Sequence, residues 1–209
     1  MTLFYIDTTS SYLYTAIVKN NELLIDKKEN LGKDLSVYSI SIVNDMFNEV
    51  HLKPSDIDKI IVVNGPGSFT GIRIGVTLAK IFAWARNIPI TTITSLEAMA
   101  KSVKTDKLVV PIINARREAC YAAIYDDDNE ILPGGYMTIE KLRMFLLGLN
   151  RDYVFVSNDN FSFETVKYNP DILNIVNSYQ DRENINPHMV NPTYLKLTEA
   201  EENRLKDND

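Results

Sequence analysis

The alternation of apolar and polar positions divides the first hundred residues into strands and helices. Three short apolar runs separated by polar turns predict an antiparallel meander. Apolar residues then recur at helical spacing, and further apolar runs alternate with helical patterns. The predicted elements are strands at 2–6, 12–18 and 22–28, a helix at about 33–51, a strand at 59–63, a helix to about 86, a strand at 88–93 and a short helix from 95. Their order is βββ-α-β-α-β-α.

The same order begins again in the second half of the chain. The predicted elements are strands at 107–113, 120–125 and 131–137, a helix at 138–149, a strand at 153–157 and a helix near 161–167. Residues 169–191 show no pattern that predicts an element. A duplicated βββ-α-β-α unit is the topology of the actin, sugar kinase and Hsp70 (ASKHA) superfamily. We therefore predict an α/β fold of two lobes facing a cleft, with residues 1–104 in the first lobe and residues 105–209 in a smaller second lobe.

The predicted helix that ends near residue 86 carries a small residue at every fourth position. This glycine ridge comprises Gly67, Gly71, Gly75, Ala79 and Ala83. Residues at i and i+4 lie in one row on a helix, and glycine costs about 1 kcal/mol relative to alanine in a helix interior, so the row needs a packing or functional reason. Apolar residues surround the ridge on nearly every side, which is typical of a buried helix. We predict that a helix of a partner protein lies along the ridge; a core helix of the chain's own domain is the alternative.

The loop before this helix does not fit the common phosphate-binding patterns. A Walker A loop needs a second glycine five residues after the first, and neither Gly65 nor Gly67 has one. The dinucleotide pattern G-x-G-x-x-G fails by one position, because Thr70 stands where the third glycine should be. The glycines therefore indicate a close contact more than a phosphate site.

Composition and charge exclude several classes of function. The 209-residue chain has a formal net charge of −6, which argues against direct binding of nucleic acid, so any role with RNA is expected to be indirect. A single cysteine, Cys120, and two distant histidines, His51 and His188, predict neither a disulfide nor a local metal cluster. Residues 1–7 lack the features of a signal peptide, and no apolar run approaches the ~20 residues of a membrane span. We expect a cytoplasmic protein with no membrane contact.

Two turns at the ends of matching strands are candidates for nucleotide contact. Asp7 and Thr8 end the first strand and are followed by hydroxyl residues, which could face phosphate or hydrated Mg²⁺. In the second half the matching position is Asn114, which carries no charge, and the nearby Arg116 and Arg117 could meet phosphate. The alternative is ordinary turn chemistry, in which these side chains bond local backbone amides. We expect weak or absent nucleotide binding.

Several motifs together resemble the TsaB family, formerly called YeaZ. They are residues 65–75 (GPGSFTGIRIG), Asp7-Thr8, residues 95–98 (SLEA), Ala115-Arg116-Arg117 with Tyr121, and residues 192–201 (PTYLKLTEAE). The resemblance implies a non-catalytic paralogue of TsaD, the metal-dependent enzyme that moves a threonylcarbamoyl group onto an adenosine in tRNA. It also implies that the chain binds and activates TsaD, with the ATPase TsaE as the third subunit, and forms a homodimer without TsaD. No cofactor is required by the chain itself, although ATP or ADP is possible at the partner interface.

The resemblance places the TsaD contact on the two helices of the first lobe. The expected interface residues are Gly67, Ser68, Phe69, Thr70, Gly71, Arg73, Ile74, Gly75 and Leu78. On this view Gly71→Leu abolishes association while the monomer still folds. The rival functions are a nucleotide-dependent kinase of the same fold, which the turn at Asp7 would suit, and a glycoprotease-like peptidase, for which Ser68 lacks the G-x-S-x-G context. Nucleotide hydrolysis by the isolated chain would favour the kinase.

Overall fold

Two five-stranded sheets of identical strand order form the framework of the protein. In this computed structural model, which describes residues 1–196, the first sheet has the order β3-β2-β1-β4-β5 and the second β8-β7-β6-β9-β10. In each, the first three strands are antiparallel and the last two are parallel to the first. The strands are β1 (Thr2–Asp7), β2 (Tyr12–Lys19), β3 (Glu22–Asn30), β4 (Lys59–Val63), β5 (Ile90–Ile93), β6 (Leu108–Asn114), β7 (Ala119–Asp126), β8 (Asn129–Thr138), β9 (Tyr153–Ser157) and β10 (Val166–Lys167). This repeated topology confirms the predicted duplicated ASKHA fold.

The helices cover both faces of each sheet. They are α1 (Leu35–Glu49), α2 (Phe69–Arg86), α3 (Ser95–Ala100), α4 (Ile139–Leu149) and α5 (Ile172–Tyr179). Alternate residues of β1 point to opposite faces, so Phe4 and Ile6 pack under α1 and α2, whereas Leu3 and Tyr5 join a central core with α3, α5 and the second sheet. Helix α4 covers the outer face of the second sheet. In the described part of the chain, no helix is both long enough and apolar enough to cross a lipid bilayer.

The chain returns to the first lobe after β10. We call residues 180–195 the return segment. Its Ile185 bridges to Ile90 at the edge of β5, and the backbone N–H of Thr193 donates to the Asn64 carbonyl oxygen at 2.7 Å. The buried Lys59 ammonium donates to two carbonyl oxygens near the start of the segment, and burial lowers the pKa of Lys59. The two sheets lie on either side of the predicted boundary between residues 104 and 105, whereas the return segment packs on the first sheet. Residues 197–209 lie outside the described part.

The predictions for residues 161–191 are wrong in two places. Residues 161–167 form a loop and the short strand β10 rather than a helix. Phe161 and Phe163, two positions apart, point to the same side and pack in an aromatic cluster with Phe155, which is the spacing of an extended chain. Helix α5 lies where no element was predicted. Its buried residues Ile172, Ile175 and Val176 have the helical spacing i, i+3, i+4, but the amphipathic pattern covers only eight residues.

The glycine ridge packs inside its own lobe and does not meet a partner helix. A Cβ added at Gly71 would overlap the Thr8 carbonyl oxygen, and one at Gly75 would overlap the Thr8 hydroxyl. Gly67 approaches the Thr9 carbonyl oxygen equally closely. The hydroxyl of Thr8 donates to the carbonyl oxygen of Gly71 at 2.7 Å, which closes the contact. The predicted ridge-to-partner contact is therefore wrong, and the expectation that Gly71→Leu leaves the monomer folded has lost its physical basis.

Replacing Gly71 by alanine tests this close approach. The added methyl group would overlap the Thr8 carbonyl oxygen, so we expect the free energy of unfolding to fall by about 1–3 kcal/mol, as overpacking usually does. The matched control is Gly148→Ala in α4, where no atom beyond the adjacent residues and the helix's own backbone lies within 4 Å of the added Cβ. There alanine's better helix propensity should raise stability by up to about 1 kcal/mol. Urea denaturation measures both, and equal effects would contradict the close approach of α2 to the turn.

Candidate functional site

An exposed apolar face covers the outside of α1 and α2. With the glycine ridge turned inward, the opposite side of α2 faces solvent. Six large apolar side chains on these two helices are between 50% and 68% exposed: Val37, Tyr38, Ile40, Phe69, Ile81 and Trp84. We call this surface the α1/α2 face. Single exposed apolar residues are common, but several on two adjacent helices, three of which (Ile40, Phe69 and Ile81) line one shared groove, are typical of a protein interaction surface.

A groove of about 590 Å³ runs between the two helices within this face. Its α1 side is opened by the small residues Ser36 and Ser39, and the Ser39 hydroxyl donates to the carbonyl oxygen of Leu35, one turn earlier on the same helix. Its α2 side is lined mainly by apolar side chains, including Ile74 and Ile81. Within the described chain, Arg73 is the single charged residue that lines the groove. The groove therefore fits a helix, or another segment, whose contacting side chains are mostly apolar.

The interface residues expected from the sequence fall into two groups. Five of them line the groove: Phe69, Thr70, Arg73, Ile74 and Leu78. The other four do not, because Gly71 and Gly75 are buried against Thr8, while Gly67 and Ser68 lie on the inter-lobe cleft. Sequence reasoning missed Val37 and Ile40 on α1. Their signal was an apolar residue lying off the core stripe of an amphipathic helix.

Arg73 is held at one end of the groove by two aromatic residues. Its guanidinium carbon lies 3.7 Å from the centre of the Phe69 ring, and its Nε donates to the Tyr194 hydroxyl at 2.9 Å. The rings of Phe69 and Tyr194 stack with centres 5.4 Å apart. The end of the return segment is therefore part of the groove's rim. No local sequence pattern could have indicated a contact between residues 121 positions apart.

A second cavity of about 470 Å³ lies between the lobes, at the carboxyl ends of the central strands. Hydroxyl and amide side chains from both lobes line it, together with three tyrosines and Asp159. The hydroxyl and amide residues are Thr9, Ser10, Ser11, Ser68, Ser95, Asn114, Ser157 and Asn158. Asp159, which sequence reasoning missed, follows β9 and accepts from the backbone N–H of Asn114 at 2.7 Å. Within residues 1–196, no three His, Cys, Asp or Glu side chains are grouped so that they could hold a metal ion.

The carboxylate of Asp7 is enclosed beneath this cleft and organises a turn. It is 2% exposed and accepts from the backbone N–H of Thr9 at 2.8 Å and from the Thr9 hydroxyl at 2.7 Å. Burial raises the pKa of Asp7 from 3.8 to about 6, although the two bonds from Thr9 lower it. Thr8 is fully buried against α2. Neither Asp7 nor Thr8 is among the residues lining the cleft, so the turn-chemistry alternative describes them better than phosphate contact.

The matching turn of the second lobe repeats this geometry without a charge. The side-chain oxygen of Asn114 accepts from the backbone N–H of Arg116 at 2.7 Å, two residues on, just as Asp7 accepts from Thr9. Residues Arg116, Arg117 and Glu118 then have φ values of 64°, 52° and 57°, which form a left-handed turn between β6 and β7. Arg116 and Arg117 are exposed, and neither lines the cleft. The four residues proposed for nucleotide contact are therefore not brought together.

The pH dependence of stability tests the enclosed carboxylate. Because its pKa is raised in the folded state, Asp7 contributes stability that is present below pH ~3.8 and is lost as pH rises through about 6. Asp7→Asn keeps the acceptor for Thr9 but cannot ionise. Its stability relative to wild type should therefore increase by about 2 kcal/mol between about pH 4 and pH 7. Urea denaturation across this range measures the change, with exposed Asp45→Asn as control; parallel curves for Asp7→Asn and wild type would contradict the burial.

Sequence and structure comparisons agree on the relationship of this chain to known proteins. A family model described as TsaD, tRNA N6-adenosine threonylcarbamoyltransferase, matches residues 29–150. The tRNA threonylcarbamoyladenosine biosynthesis protein TsaB of Bacillus subtilis (strain 168) is 31% identical, with 96% of each chain covered. The TsaB protein of Buchnera aphidicola subsp. Baizongia pistaciae is 22% identical over 93% of this chain and 97% of its own.

Two solved structures share the fold. One is described as an uncharacterized protein with similarity to peptidase YEAZ from Pseudomonas aeruginosa; it has a TM-score of 0.81 at 18% identity and covers 93% of this chain and 99% of its own. The other, YeaZ from Pseudomonas aeruginosa, has a TM-score of 0.72 at 18% identity and covers 92% and 100%. With the near full-length match to the Bacillus protein, the chain belongs to the TsaB family of tRNA threonylcarbamoyladenosine biosynthesis proteins.

Proposed function

We propose that this protein is a non-catalytic scaffold and activator of the complex that forms N6-threonylcarbamoyladenosine in tRNA. In this proposal it binds the TsaD transferase through the α1/α2 face. The observation that carries the proposal is the set of exposed apolar side chains on two adjacent helices with an apolar groove between them. Its apolar side chains gain free energy when a partner removes them from water, at about 25 cal/mol per Å².

The geometry of the two helices favours a helical partner. The inner sides of α1 and α2 are already buried on the first sheet, so the α1/α2 face is not needed for the chain's own core. The match to the TsaD family model spans both helices, which supports a partner with a related pair. Two such pairs facing each other would pack as four helices, with side-chain rows lying in opposing grooves. The same face would serve a homodimer when TsaD is absent.

The inter-lobe cleft supports a role other than nucleotide-dependent catalysis. The carboxylate of Asp7, which a kinase of this fold would direct at Mg²⁺ and phosphate, is buried and bonded to Thr9. Its counterpart Asn114 is uncharged and performs the same backbone bonding. In the proposed complex, ATP or ADP would lie at the interface with TsaD, TsaE would join the assembly, and tRNA would be contacted through the partners because this chain is acidic.

A charge placed on the α1/α2 face tests the proposal. Ile81 is 57% exposed and lines the groove, so Ile81→Glu should leave folding intact and weaken TsaD binding. Losing one buried apolar side chain amounts to about 1.5–3 kcal/mol, or about a 10- to 100-fold rise in Kd. The matched control is Leu147→Glu, an equally apolar and 74% exposed position on α4 of the other lobe. Complex mass by light scattering and Kd by calorimetry with TsaD measure the effect.

Activity gives a second readout of the same variants. Threonylcarbamoyl transfer to tRNA by TsaD should fall for Ile81→Glu in proportion to lost binding and should be unchanged for Leu147→Glu. If wild type forms no complex with TsaD, or if Ile81→Glu binds as wild type does, the proposal is wrong. Nucleotide hydrolysis by the isolated chain that disappears in Asp7→Ala would instead favour the kinase.

A further inference from the structure

Resting on the proposed function, we propose that Arg73 is the specificity residue of the α1/α2 face. In this proposal its two Nη atoms bind a carboxylate on the docked partner helix, and Tyr194 acts as a positioning residue that holds the guanidinium in place. The partner segment is then an apolar helix with an Asp or Glu at the end of the groove where Arg73 lies. The inference begins from the geometry of the Arg73, Phe69 and Tyr194 contacts.

The guanidinium of Arg73 is held in place before any partner arrives. It stacks on the Phe69 ring at 3.7 Å, and its Nε donates to the Tyr194 hydroxyl at 2.9 Å. Stacking on an aromatic face and a fixed hydrogen bond both reduce the side-chain freedom that binding would otherwise remove. Since Nε is engaged, the two Nη atoms remain, and they present a planar pair of donors that matches the two oxygens of a carboxylate.

The other cations of α2 show why Arg73 differs. The ammonium group of Lys80 donates to the carbonyl oxygens of His188 at 3.3 Å and Val190 at 2.9 Å, so it anchors the return segment. Arg86 lies in the last turn of the helix, where a cation stabilises the helix dipole. Among the described residues, Arg73 forms no ion pair, and it lines the groove. Its contacts with Phe69 and Tyr194 hold the guanidinium but do not neutralise its charge, which is left for a partner.

Docking of an apolar helix would remove water from this charge. A guanidinium that loses its water without gaining an acceptor opposes binding strongly. A carboxylate on the partner converts this penalty into a charge-assisted pair and rejects helices that lack one. The groove's single charged side chain would thus select among apolar helices, because the rest of its lining discriminates mainly by shape.

Tyr194 is held in place by the hydrogen bonds of its neighbours in the return segment. The N–H of neighbouring Thr193 donates to the Asn64 carbonyl oxygen at 2.7 Å, and the Asn64 side chain donates to the Asn191 carbonyl oxygen at 3.1 Å. These bonds attach the end of the segment to the loop that precedes α2. Tyr194→Phe would therefore remove the acceptor for Arg73 Nε and leave the stacked ring and the backbone bonds in place.

The test compares Arg73→Met, Arg73→Lys and Tyr194→Phe in the full chain with TsaD as the ligand, with Kd measured by calorimetry at low and high NaCl. Arg73→Met should raise Kd by at least about 30-fold, as truncating one member of a buried charge pair does, and should reduce the salt dependence of binding. Arg73→Lys should recover part of the affinity, since it keeps the charge but not the fork. Tyr194→Phe should weaken binding less and keep the salt dependence. Thermal denaturation should show all three variants folded.

Substitution of the acidic residues on the TsaD docking helices completes the test. One Asp→Asn or Glu→Gln change in TsaD should weaken its binding to the wild-type chain. The same change should weaken its binding to the Arg73→Met variant little further. If Arg73→Met binds as well as wild type, or if no acidic residue couples to it, the inference is overturned. Its failure is distinguishable from failure of the proposed function, because Ile81→Glu would still weaken binding in the first case. If Ile81→Glu also binds normally, the α1/α2 face is not the docking surface.

Discussion

The close approach of α2 to the turn after β1 determines which surface of the first lobe is available for binding. The backbone of Thr8 and Thr9 occupies the space that side chains at Gly67, Gly71 and Gly75 would need. The Ser68 N–H donates to the Thr9 carbonyl oxygen at 2.7 Å, so the start of the helix is attached to the same turn. This contact fixes the rotation of α2 about its own axis. The large side chains Phe69 and Ile81 are turned outward as a result.

The order of strands and helices could be predicted from the sequence because each element buries a face at its own period. The strands of both lobes alternate or are continuously apolar, and their order revealed the duplication. The prediction failed at 161–167 because two phenylalanines at spacing of two, Phe161 and Phe163, were assigned to a helix. It also failed for α5, where eight residues offer too few repeats for a periodic signal.

The candidate site was predictable only in part because a pattern of small residues indicates close contact without identifying the neighbour. Thr8 and Gly71 are 63 positions apart, and nothing local to either relates them. Of the interface residues named from the sequence, Phe69 and Ile74 line the groove, whereas Gly71 packs against the turn after β1. Tyr194 could not be assigned to the rim for the same reason. The missing information was which residues lie close together in the fold, and not which residue types are present.

The return segment has a consequence for the order of events during synthesis. Ile185 covers the edge of β5, and the carbonyl oxygens of Gln180 and Arg182 satisfy the ammonium of buried Lys59. A nascent first lobe would have an open sheet edge and a Lys59 ammonium that lacks these two acceptors, both of which disfavour a stable intermediate. We therefore expect the lobe made first to complete its folding only after residues 180–195 have left the ribosome. We expect the two halves to fold as one cooperative unit, although their repeated topology suggests two independent ones.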